Sequence, residues 1–379
     1  MKLFSKEKDR FHDIYRIFGI KFKLLNKNYL KSEICDFEGK VKLHSWKRFY
    51  YASTHMTIDE KIRALQELLF DRTKEYPNIK YPRTFNEKLN WLRFNYNNPM
   101  INVIEDKYEF KKYITDKLGE EYVTKLYKVY DDINDINFDE LPDRFVIKST
   151  QSAGAKGVRI VRDKNKCDFH QIKYDISKSM NSWNKMYFYD VQNGEKIRER
   201  IIVEEYLEQM DKSACDYKFF CFNGEPKAFY IANNWALNKE NKQISYYDIN
   251  KNELSLKYGH YGKEDLKLNI REETFKKMVD ICKILSKDFP FVRVDFYDTG
   301  DRVLVGELTF TPTGGYGKYT PREWDYKLGE LLDLSKIPEE NLKILPEFAE
   351  GAKTFIDPDV VDRCTVRNNQ MENNVCVCK

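Results

Sequence analysis

The chain has 379 residues, enough for two or three lobes of one catalytic unit. Its 65 basic and 61 acidic residues give a net charge of +4, too small a bias to indicate nucleic acid as the main partner. The eight cysteines and five histidines lack metal-ligand spacing, and no apolar run is long enough for a membrane span. We therefore expect a reduced, cytoplasmic protein.

Residues 1–31 are basic and amphipathic, with nine basic and three acidic side chains among bulky apolar ones. This pattern is typical of a segment that contacts an anionic bilayer surface, here the cytoplasmic face of the inner membrane. A strand pair or helix docked on the protein body, with its lysines in solvent, explains the pattern equally well. Both interpretations stay open for the N-terminal segment, residues 1–50.

Three capping boxes predict helix starts in the next segment, residues 51–140, which we expect to be a helical lobe. Each box has a Thr or Asp followed three residues later by a Glu. The pairs are Thr57 with Glu60, Thr84 with Glu87, and Asp106 with Glu109. The third box places Lys107 in the first turn of a helix that Gly119 can close.

Residues 145–161 predict a strand that ends near Lys148, a loop of small residues and a second strand. Small residues let backbone N–H groups approach phosphate oxygens, and lysines neutralise the charge. The loop residues that we assign to a nucleotide are Ser152, Gly154, Lys156 and Gly157. A Walker loop would continue into a helix, so the pattern argues against a P-loop NTPase. An ordinary hairpin with a surface lysine is the alternative.

Residues 200–208 predict a buried strand that runs out into a polar segment. Its backbone, with Glu204, Glu205 and Tyr206, could contact an adenine edge while Leu207 covers a ring face. The signal is weak by itself, because many strands end in acidic residues.

Residues 291–309 predict a hairpin with charged residues on one face. If the connecting loop has an odd number of residues, Asp295, Glu307 and Arg293 share that face, whereas an even loop would separate Asp295 from Glu307. Two converging carboxylates need a salt bridge or a metal, and Mg²⁺ with ATP phosphates is a natural partner. The alternative is an Arg293–Glu307 ion pair with Asp295 exposed. The following stretch, residues 312–317, offers backbone donors to a substrate anion.

The order of these features resembles the ATP-grasp superfamily and, within it, the TupA-like (teichuronopeptide-type) family from bacterial surface-polysaccharide loci. Four separated motifs carry the resemblance. They lie at residues 82–92, 106–108, 216–224 and 306–310. The resemblance implies an α+β ATP-grasp fold with a helical N-terminal region. ATP would be clasped between a subdomain of residues 141–208 and a metal-binding, catalytic subdomain of residues 209–335, and residues 336–379 would form an irregular tail.

The same resemblance implies roles for individual residues. Lys107 and Lys148 would bind the ATP phosphates, Glu204–Leu207 would bind adenine, and Asp216 would make a further contact with the nucleotide. One or two Mg²⁺ ions would be bound by Asp295, Glu307 and Thr309. Lys218 and Arg293 would be catalytic. Arg293 would steady a tetrahedral oxyanion. Many relatives carry Asn where this chain has Thr309, which ligates more weakly through its hydroxyl.

The implied function is an ATP-dependent carboxylate–amine ligase that modifies a cell-surface polysaccharide or its sugar precursor through an acylphosphate. Its partners would be ATP, a carboxylate-bearing sugar or polymer acceptor and an amine donor, with no nucleic acid. A glycosyltransferase or other transferase of capsule or lipopolysaccharide biosynthesis is the alternative, although Asp131-Asp132 and Asp295 with Asp298 fit its DxD-like pair poorly. A degenerate ATP-binding scaffold without chemistry is a third interpretation.

Overall fold

The computed structural model describes residues 4–8, 12–17 and 20–25 as backbone strands, and residues 57–372 with internal gaps. The gaps are residues 152–156, 181–197, 209–215, 233–242 and 259–265, and side chains are described up to residue 365. The chain divides into two compact units whose boundary in sequence lies between Pro77 and Asn78. No helix among the described residues is both long and apolar enough to cross a bilayer.

Among its described residues, the first unit has three short strands and one helix. The strands Phe4–Lys8 (β1), His12–Ile17 (β2) and Ile20–Leu25 (β3) form an antiparallel sheet in that order. Helix α1 spans Ile58–Thr73 and begins with the predicted capping box of Thr57 and Glu60. The side chains of residues 1–31, on which the membrane interpretation depends, lie outside the described residues.

The second unit begins with three helices, Phe85–Asn95 (α2), Met100–Glu105 (α3) and Lys107–Leu118 (α4). The capping box of Thr84 and Glu87 at α2 is confirmed. At α4 only half of the predicted capping box forms. The Asp106 side chain accepts a hydrogen bond from the Glu109 amide, whereas the Glu109 carboxylate accepts one from Nη1 of Arg200 at 2.8 Å. A charged partner distant in sequence therefore outcompetes the local cap.

A small antiparallel sheet has the strand order β4-β7-β5-β6. Its strands are Leu126–Tyr130 (β4), Phe145–Ser149 (β5), Val158–Val161 (β6) and Ile201–Glu205 (β7). Helix α5, Phe169–Met180, packs Ile172 and Ile176 into a core with apolar residues of β5 and β7. The two strands predicted within residues 145–161 are confirmed, and they pair antiparallel. Strand β4 lies before residue 141, so the sheet starts earlier than the predicted subdomain.

A large antiparallel sheet has the strand order β10-β9-β8-β12-β13. Its strands are Asp216–Phe222 (β8), Glu225–Ala232 (β9), Ile244–Asp248 (β10), Phe291–Asp298 (β12) and Val303–Thr309 (β13), and a two-stranded ladder pairs Lys257–Tyr258 (β11) with Tyr319–Thr320 (β14). Helix α6, Glu272–Ser286, contributes Met278 and Cys282 to one apolar core with Phe219 and Val294 of the sheet. The other face carries the charged residues.

The expectation of an irregular tail after residue 336 is wrong. Helix Glu323–Leu331 (α7) ends before residue 336, and helices Ala349–Ala352 (α8) and Pro358–Glu372 (α9) lie in the tail, with short 3-10 turns between α7 and α8. The ring of Phe348 lies 5.1 Å from that of Phe94, and the ring of Phe355 lies 5.5 Å from that of Trp91. The tail is ordered by packing on α2, which no short-range pattern indicated. Together, the helices and two sheets confirm the predicted α+β class.

Candidate active site

A row of charged residues crosses three neighbouring strands of the large sheet. Lys218 on β8 lies opposite Asp295 on β12, and Asp295 lies opposite Glu307 on β13. Residues directly opposite on antiparallel strands point to the same face of the sheet. The predicted convergence of Asp295 and Glu307 on one face is therefore confirmed.

The turn of this hairpin has four residues, 299–302, and an even turn alone would separate Asp295 from Glu307. A register shift beside Asp295 leaves Gly306 outside the pairing, and this extra residue restores the shared face. A Cβ atom at Gly306 would lie 2.6 Å from Cε2 of Tyr297. Only glycine fits the bulge without displacing that ring.

Asp295 is 3% exposed and accepts hydrogen bonds from two cations. Lys218 Nζ lies 2.5 Å from Oδ2, and Arg293 donates to Oδ1 at 2.6 Å and to Oδ2 at 2.7 Å. Burial alone would raise the pKa of Asp295, but Arg293 and Lys218 hold it below its ordinary value. The carboxylate therefore stays ionised, with both oxygens fixed in place.

Glu307, the cross-strand neighbour of Asp295, is open to solvent. Its side chain is 61% exposed, and its Oε2 lies 3.9 Å from Nη2 of Arg293. The same Nη2 donates to the Thr309 hydroxyl at 3.0 Å. The alternative of an Arg293–Glu307 pair with Asp295 exposed is wrong, because the short contacts of the guanidinium go to a buried Asp295.

Asp216 lies two residues before Lys218 on the same strand face, with its Oδ2 3.8 Å from the Lys218 Nζ. Burial raises the pKa of Asp216 to about 6 despite the nearby Lys218 charge, and the Asp295 carboxylate adds to the increase. The cluster therefore contains one carboxyl group that can exchange a proton near neutral pH.

A second charged cluster lies on the small sheet around Glu204, which is 5% exposed. Its carboxylate pairs with Lys148 and with Lys111 at 2.9 Å, and Thr124 Oγ1 donates to it at 2.9 Å. Burial would raise the pKa of Glu204, but the charges of Lys148 and Lys111 lower it to about 2. The carboxylate holds two lysines, so it does not present the open adenine contact that we predicted for this side chain.

Lys107 begins α4 as predicted, and both its backbone N and its Nζ donate to the carbonyl of Thr150, at 2.9 and 3.3 Å. Thr150 follows β5 directly and is itself held by Arg200, whose carbonyl accepts from the Thr150 amide at 2.9 Å. Burial, with the charge of Lys148, lowers the pKa of Lys107 to about 8, and Glu307 opposes this. Lys107 therefore interacts electrostatically with both charged clusters.

The loop after Thr150 is described only at its two ends, Gln151 and Gly157. Gly157 is buried and has a φ of 67°, in the left-handed region that favours glycine. The other three predicted loop residues, Ser152, Gly154 and Lys156, lie outside the described residues.

The end of β7 is tied to the large sheet. Glu205 pairs with Arg302, in the turn between β12 and β13, at 3.1 Å. The guanidinium of Arg144 lies 4.5 Å from the ring centroid of Tyr206, and Leu207 is 4% exposed. Adenine contacts at Glu205, Tyr206 and Leu207 stay predictions.

Three residues of these clusters were missed from the sequence: Lys111, Thr124 and Arg302. Lys111 follows Lys107 by four residues in the same helix, and this spacing places both lysines on one helix face. That signal was available. Thr124 and Arg302 contact residues 80 and 97 positions away, and no local pattern marks them.

The oxygen donors on the charged face fit Mg²⁺. The exposed Glu307 carboxylate and the Thr309 hydroxyl share a strand face. Asp295 could bind the metal ion only if one of its hydrogen bonds from Lys218 or Arg293 were broken. Among the described residues, no group of three or more His, Cys, Asp or Glu side chains forms a metal site alone. Such a set suits an ion that keeps phosphate and water ligands.

Comparisons with known proteins place this geometry in context. Residues 87–333, more than half of the chain, match the family model described as TupA-like ATPgrasp. A D-alanine–D-alanine ligase from Bacillus anthracis is 16% identical with a TM-score of 0.35, covering 76% of each chain. The D-alanine–D-alanine ligase from Helicobacter pylori is 14% identical with a TM-score of 0.34, covering 65% of this chain and 69% of that one. No curated protein sequence matches the chain.

Proposed function

This chain belongs to the TupA-like ATP-grasp family, and on that premise we propose that it joins a carboxylate to an amine on a cell-surface polysaccharide or its sugar precursor. Membership gives the ATP-grasp fold, ATP and Mg²⁺ as cofactors, and the class of ATP-dependent carboxylate–amine ligase. The observation that carries the proposal is the in-register row of Lys218, Asp295 and Glu307, electrostatically coupled through Lys107 to the lysine cluster of the small sheet.

The nucleotide phosphates are proposed to bind at Lys107 and Lys148. Lys148 and Lys111 bring two positive charges to the single Glu204 carboxylate, and Lys107 adds a third. The excess positive charge favours a polyanion, and the low pKa of Glu204 keeps the cluster fixed as an ion triad. Adenine is proposed to bind beside Glu205, Tyr206 and Leu207, and Asp216 to face the nucleotide from the large sheet.

Magnesium is proposed to bind at Glu307 with Asp295, and Thr309 to contribute its hydroxyl. When bound, the ion neutralises charge on the transferred phosphoryl group. The protein's own contribution is the positive pair of Arg293 and Lys218 beside Asp295, held at 2.5–2.7 Å. This pair is proposed to stabilise the negative charge that develops on the carbonyl oxygen when the amine attacks the acylphosphate.

The proposed reaction has two steps. A carboxylate oxygen of the acceptor attacks the γ-phosphorus of ATP, the bond to the ADP oxygen breaks, and an acylphosphate forms. The amine then attacks the acyl carbon, the C–O bond to phosphate breaks, and phosphate leaves while the amine nitrogen loses a proton. Asp216, with its pKa of about 6, is a candidate to accept that proton.

A hydroxylamine trap tests this proposal without knowledge of the natural amine. Hydroxylamine converts acylphosphates into hydroxamates, so the purified protein would be incubated with MgATP, hydroxylamine and a panel of carboxylates that starts with D-glucuronate and includes polymeric uronates. We expect hydroxamate and ADP to form together for at least one carboxylate. ADP release that no carboxylate stimulates, with no hydroxamate, would refute the proposal. Mass spectrometry with a panel of amines then identifies the natural product.

Contact of residues 1–31 with an anionic membrane surface is a separate proposal, supported by their charge pattern. Co-sedimentation with vesicles containing phosphatidylglycerol tests it. The full chain should bind at low salt, a variant lacking residues 1–31 should not, and equal binding of the two would refute it.

A further inference from the structure

Helix α2 carries three polar side chains on one face, at Asn86, Asn90 and Arg93. Their spacing of four and three residues places them on successive helical turns. Asn86 and Asn90 are 1% and 0% exposed. Polar amides buried this completely have to be satisfied by specific partners.

The partners lie in the glycine-rich loop after β13, residues 311–317. Each of the three side chains donates to a different loop carbonyl. The bonds are Asn86 Nδ2 to Gly317 O at 2.8 Å, Asn90 Nδ2 to Gly315 O at 2.8 Å and Arg93 Nη2 to Gly314 O at 2.7 Å. Asn86 Oδ1 also accepts from the Gly317 amide at 2.8 Å. One helix face therefore fixes the loop at three points.

The loop needs this support because its backbone is unusual. Thr313, Gly314 and Gly315 have φ values of 53°, 68° and 76°. Three consecutive residues in the left-handed region are costly, most of all at Thr313, and such a conformation persists only when its surroundings hold it. A Cβ atom at Gly315 would lie 3.0 Å from Nδ2 of Asn90, so helix and loop are in close contact.

The loop continues directly from the charged face. Thr309, which ends β13, accepts a hydrogen bond from Arg293 at 3.0 Å, and the loop starts two residues later. A loop that visits the left-handed region can direct backbone N–H groups at one anion. The amides of Gly314, Tyr316 and Gly317 already donate to Thr311 O, Thr313 O and Asn86 Oδ1, so the loop would bind an anion through the amides of Thr313 and Gly315. The guanidinium of Arg93, 5.6 Å from the ring centroid of Tyr316, adds positive charge beside this loop.

We infer that Asn86, Asn90 and Arg93 are positioning residues that hold residues 311–317 as a preformed site for the carboxylate of the acceptor. This inference rests on the proposed ligase function and adds to it the part of the chain that receives the acceptor.

The test compares Asn90→Ala and Arg93→Met with a matched control on the same helix, Lys88→Met. Lys88 donates to the carbonyls of Gly329 and Leu332, outside the loop, at 2.8 and 2.7 Å. We would measure the KM of the wild type's best carboxylate in the hydroxylamine assay, the Kd for MgATP, and amide hydrogen exchange of residues 311–318.

The two loop variants should exchange faster in residues 311–318 and raise the carboxylate KM roughly tenfold or more, with an unchanged Kd for MgATP. Arg93→Lys should fall between Arg93→Met and wild type in KM and in exchange rate, and Lys88→Met should match wild type in all three measurements. An unchanged KM in folded variants, or a Kd for MgATP that rises in parallel, overturns the inference. A wild type that forms no hydroxamate overturns the proposed function first, and this inference with it.

Discussion

Asp295 and Glu307 lie directly opposite each other on β12 and β13 because Gly306 adds one residue to β13 that takes no part in the pairing. The four-residue turn would otherwise direct the two carboxylates to opposite faces of the sheet. Glu307 would then point away from Lys218 and Arg293. The shared position of the two carboxylates thus depends on a residue that has no side chain of its own.

Gly306→Ala should destabilise the protein and impair Mg²⁺-dependent activity. The added Cβ meets the Tyr297 ring at 2.6 Å, so either the ring or the bulge has to move, at about 2 kcal/mol. Urea denaturation and a Mg²⁺ titration of ADP formation measure the two effects.

Gly300→Ala is the matched control in the same hairpin, because its Cβ would meet nothing within 4 Å. Its φ of 88° costs about 1 kcal/mol, and the Mg²⁺ dependence should be unchanged. Equal activity in Gly306→Ala would contradict the role of the bulge.

Glu307→Gln should abolish Mg²⁺-dependent activity with little change in stability, whereas Asp295→Asn should strongly reduce stability. Glu307 is 61% exposed, so its amide should change the free energy of unfolding by less than about 0.5 kcal/mol while Mg²⁺-dependent ADP formation is lost. Asp295 is buried between Arg293 and Lys218, and Asp295→Asn removes the closest negative charge from both buried cations, at about 4 kcal/mol. Thermal unfolding combined with a Mg²⁺ titration provides the comparison. Full Mg²⁺-dependent activity in Glu307→Gln would remove Glu307 from the metal site.

Much of this architecture follows from short-range sequence signals. The capping residues Thr57 and Thr84, the hairpin at Lys148 and the alternation around Asp295 are local patterns, and the structure confirms each of them. Counting residues along the hairpin could not determine which face of the sheet carries Glu307, because nothing in the sequence distinguishes a bulge at Gly306 from an ordinary strand glycine.

Side-chain partners distant in sequence account for the remaining differences. The Glu204 carboxylate forms ion pairs with Lys111 and Lys148, which are 93 and 56 residues away in sequence. The residue that we predicted to contact adenine is therefore the centre of an ion cluster. The tail after residue 336 is likewise ordered by aromatic contacts with α2, such as Phe355 with Trp91. Pairings of this kind depend on the folded topology, which single-sequence patterns do not contain.

Glu204 should make stability depend on pH below 4.5. Its pKa is about 2 in the folded chain against an ordinary value of 4.5, so the unfolded chain takes up the proton first as the pH falls. The contribution of the ionised Glu204 carboxylate to the free energy of unfolding is therefore complete above pH 4.5 and is lost as the pH falls towards 2. The stability difference between wild type and Glu204→Gln should narrow over this window by on the order of 3 kcal/mol.

Urea unfolding at a series of pH values measures that difference. Glu140→Gln is the control, because the Glu140–Lys128 ion pair at 3.0 Å is exposed, and its profile should follow that of wild type. A constant difference between wild type and Glu204→Gln would show that the ion cluster does not form.

MgATP binding should weaken as the pH rises through 8. Burial and Lys148 lower the pKa of Lys107 to about 8, so the side chain loses its charge above that pH and with it the attraction for phosphate. Calorimetric titration between pH 7 and 9.5 measures the Kd, where ATP itself stays fully ionised. Lys107→Met should bind MgATP more weakly than wild type at pH 7, lose the pH dependence, and approach the wild-type Kd at pH 9.5. Lys112→Met, an exposed lysine of the same helix, should keep both the affinity and the dependence. A pH-independent Kd in wild type would exclude Lys107 from the phosphate site.

Transfer of an oxygen atom from the acceptor to phosphate tests the central claim most directly. The acceptor carboxylate would carry ¹⁸O in both oxygens, and the phosphate released in the presence of MgATP and an amine would be analysed by mass spectrometry. Attack of the carboxylate on the γ-phosphorus, followed by C–O cleavage, predicts one ¹⁸O atom in each phosphate and one in the amide product. Phosphate without ¹⁸O, released during turnover that needs both carboxylate and amine, would contradict carboxylate activation by this enzyme.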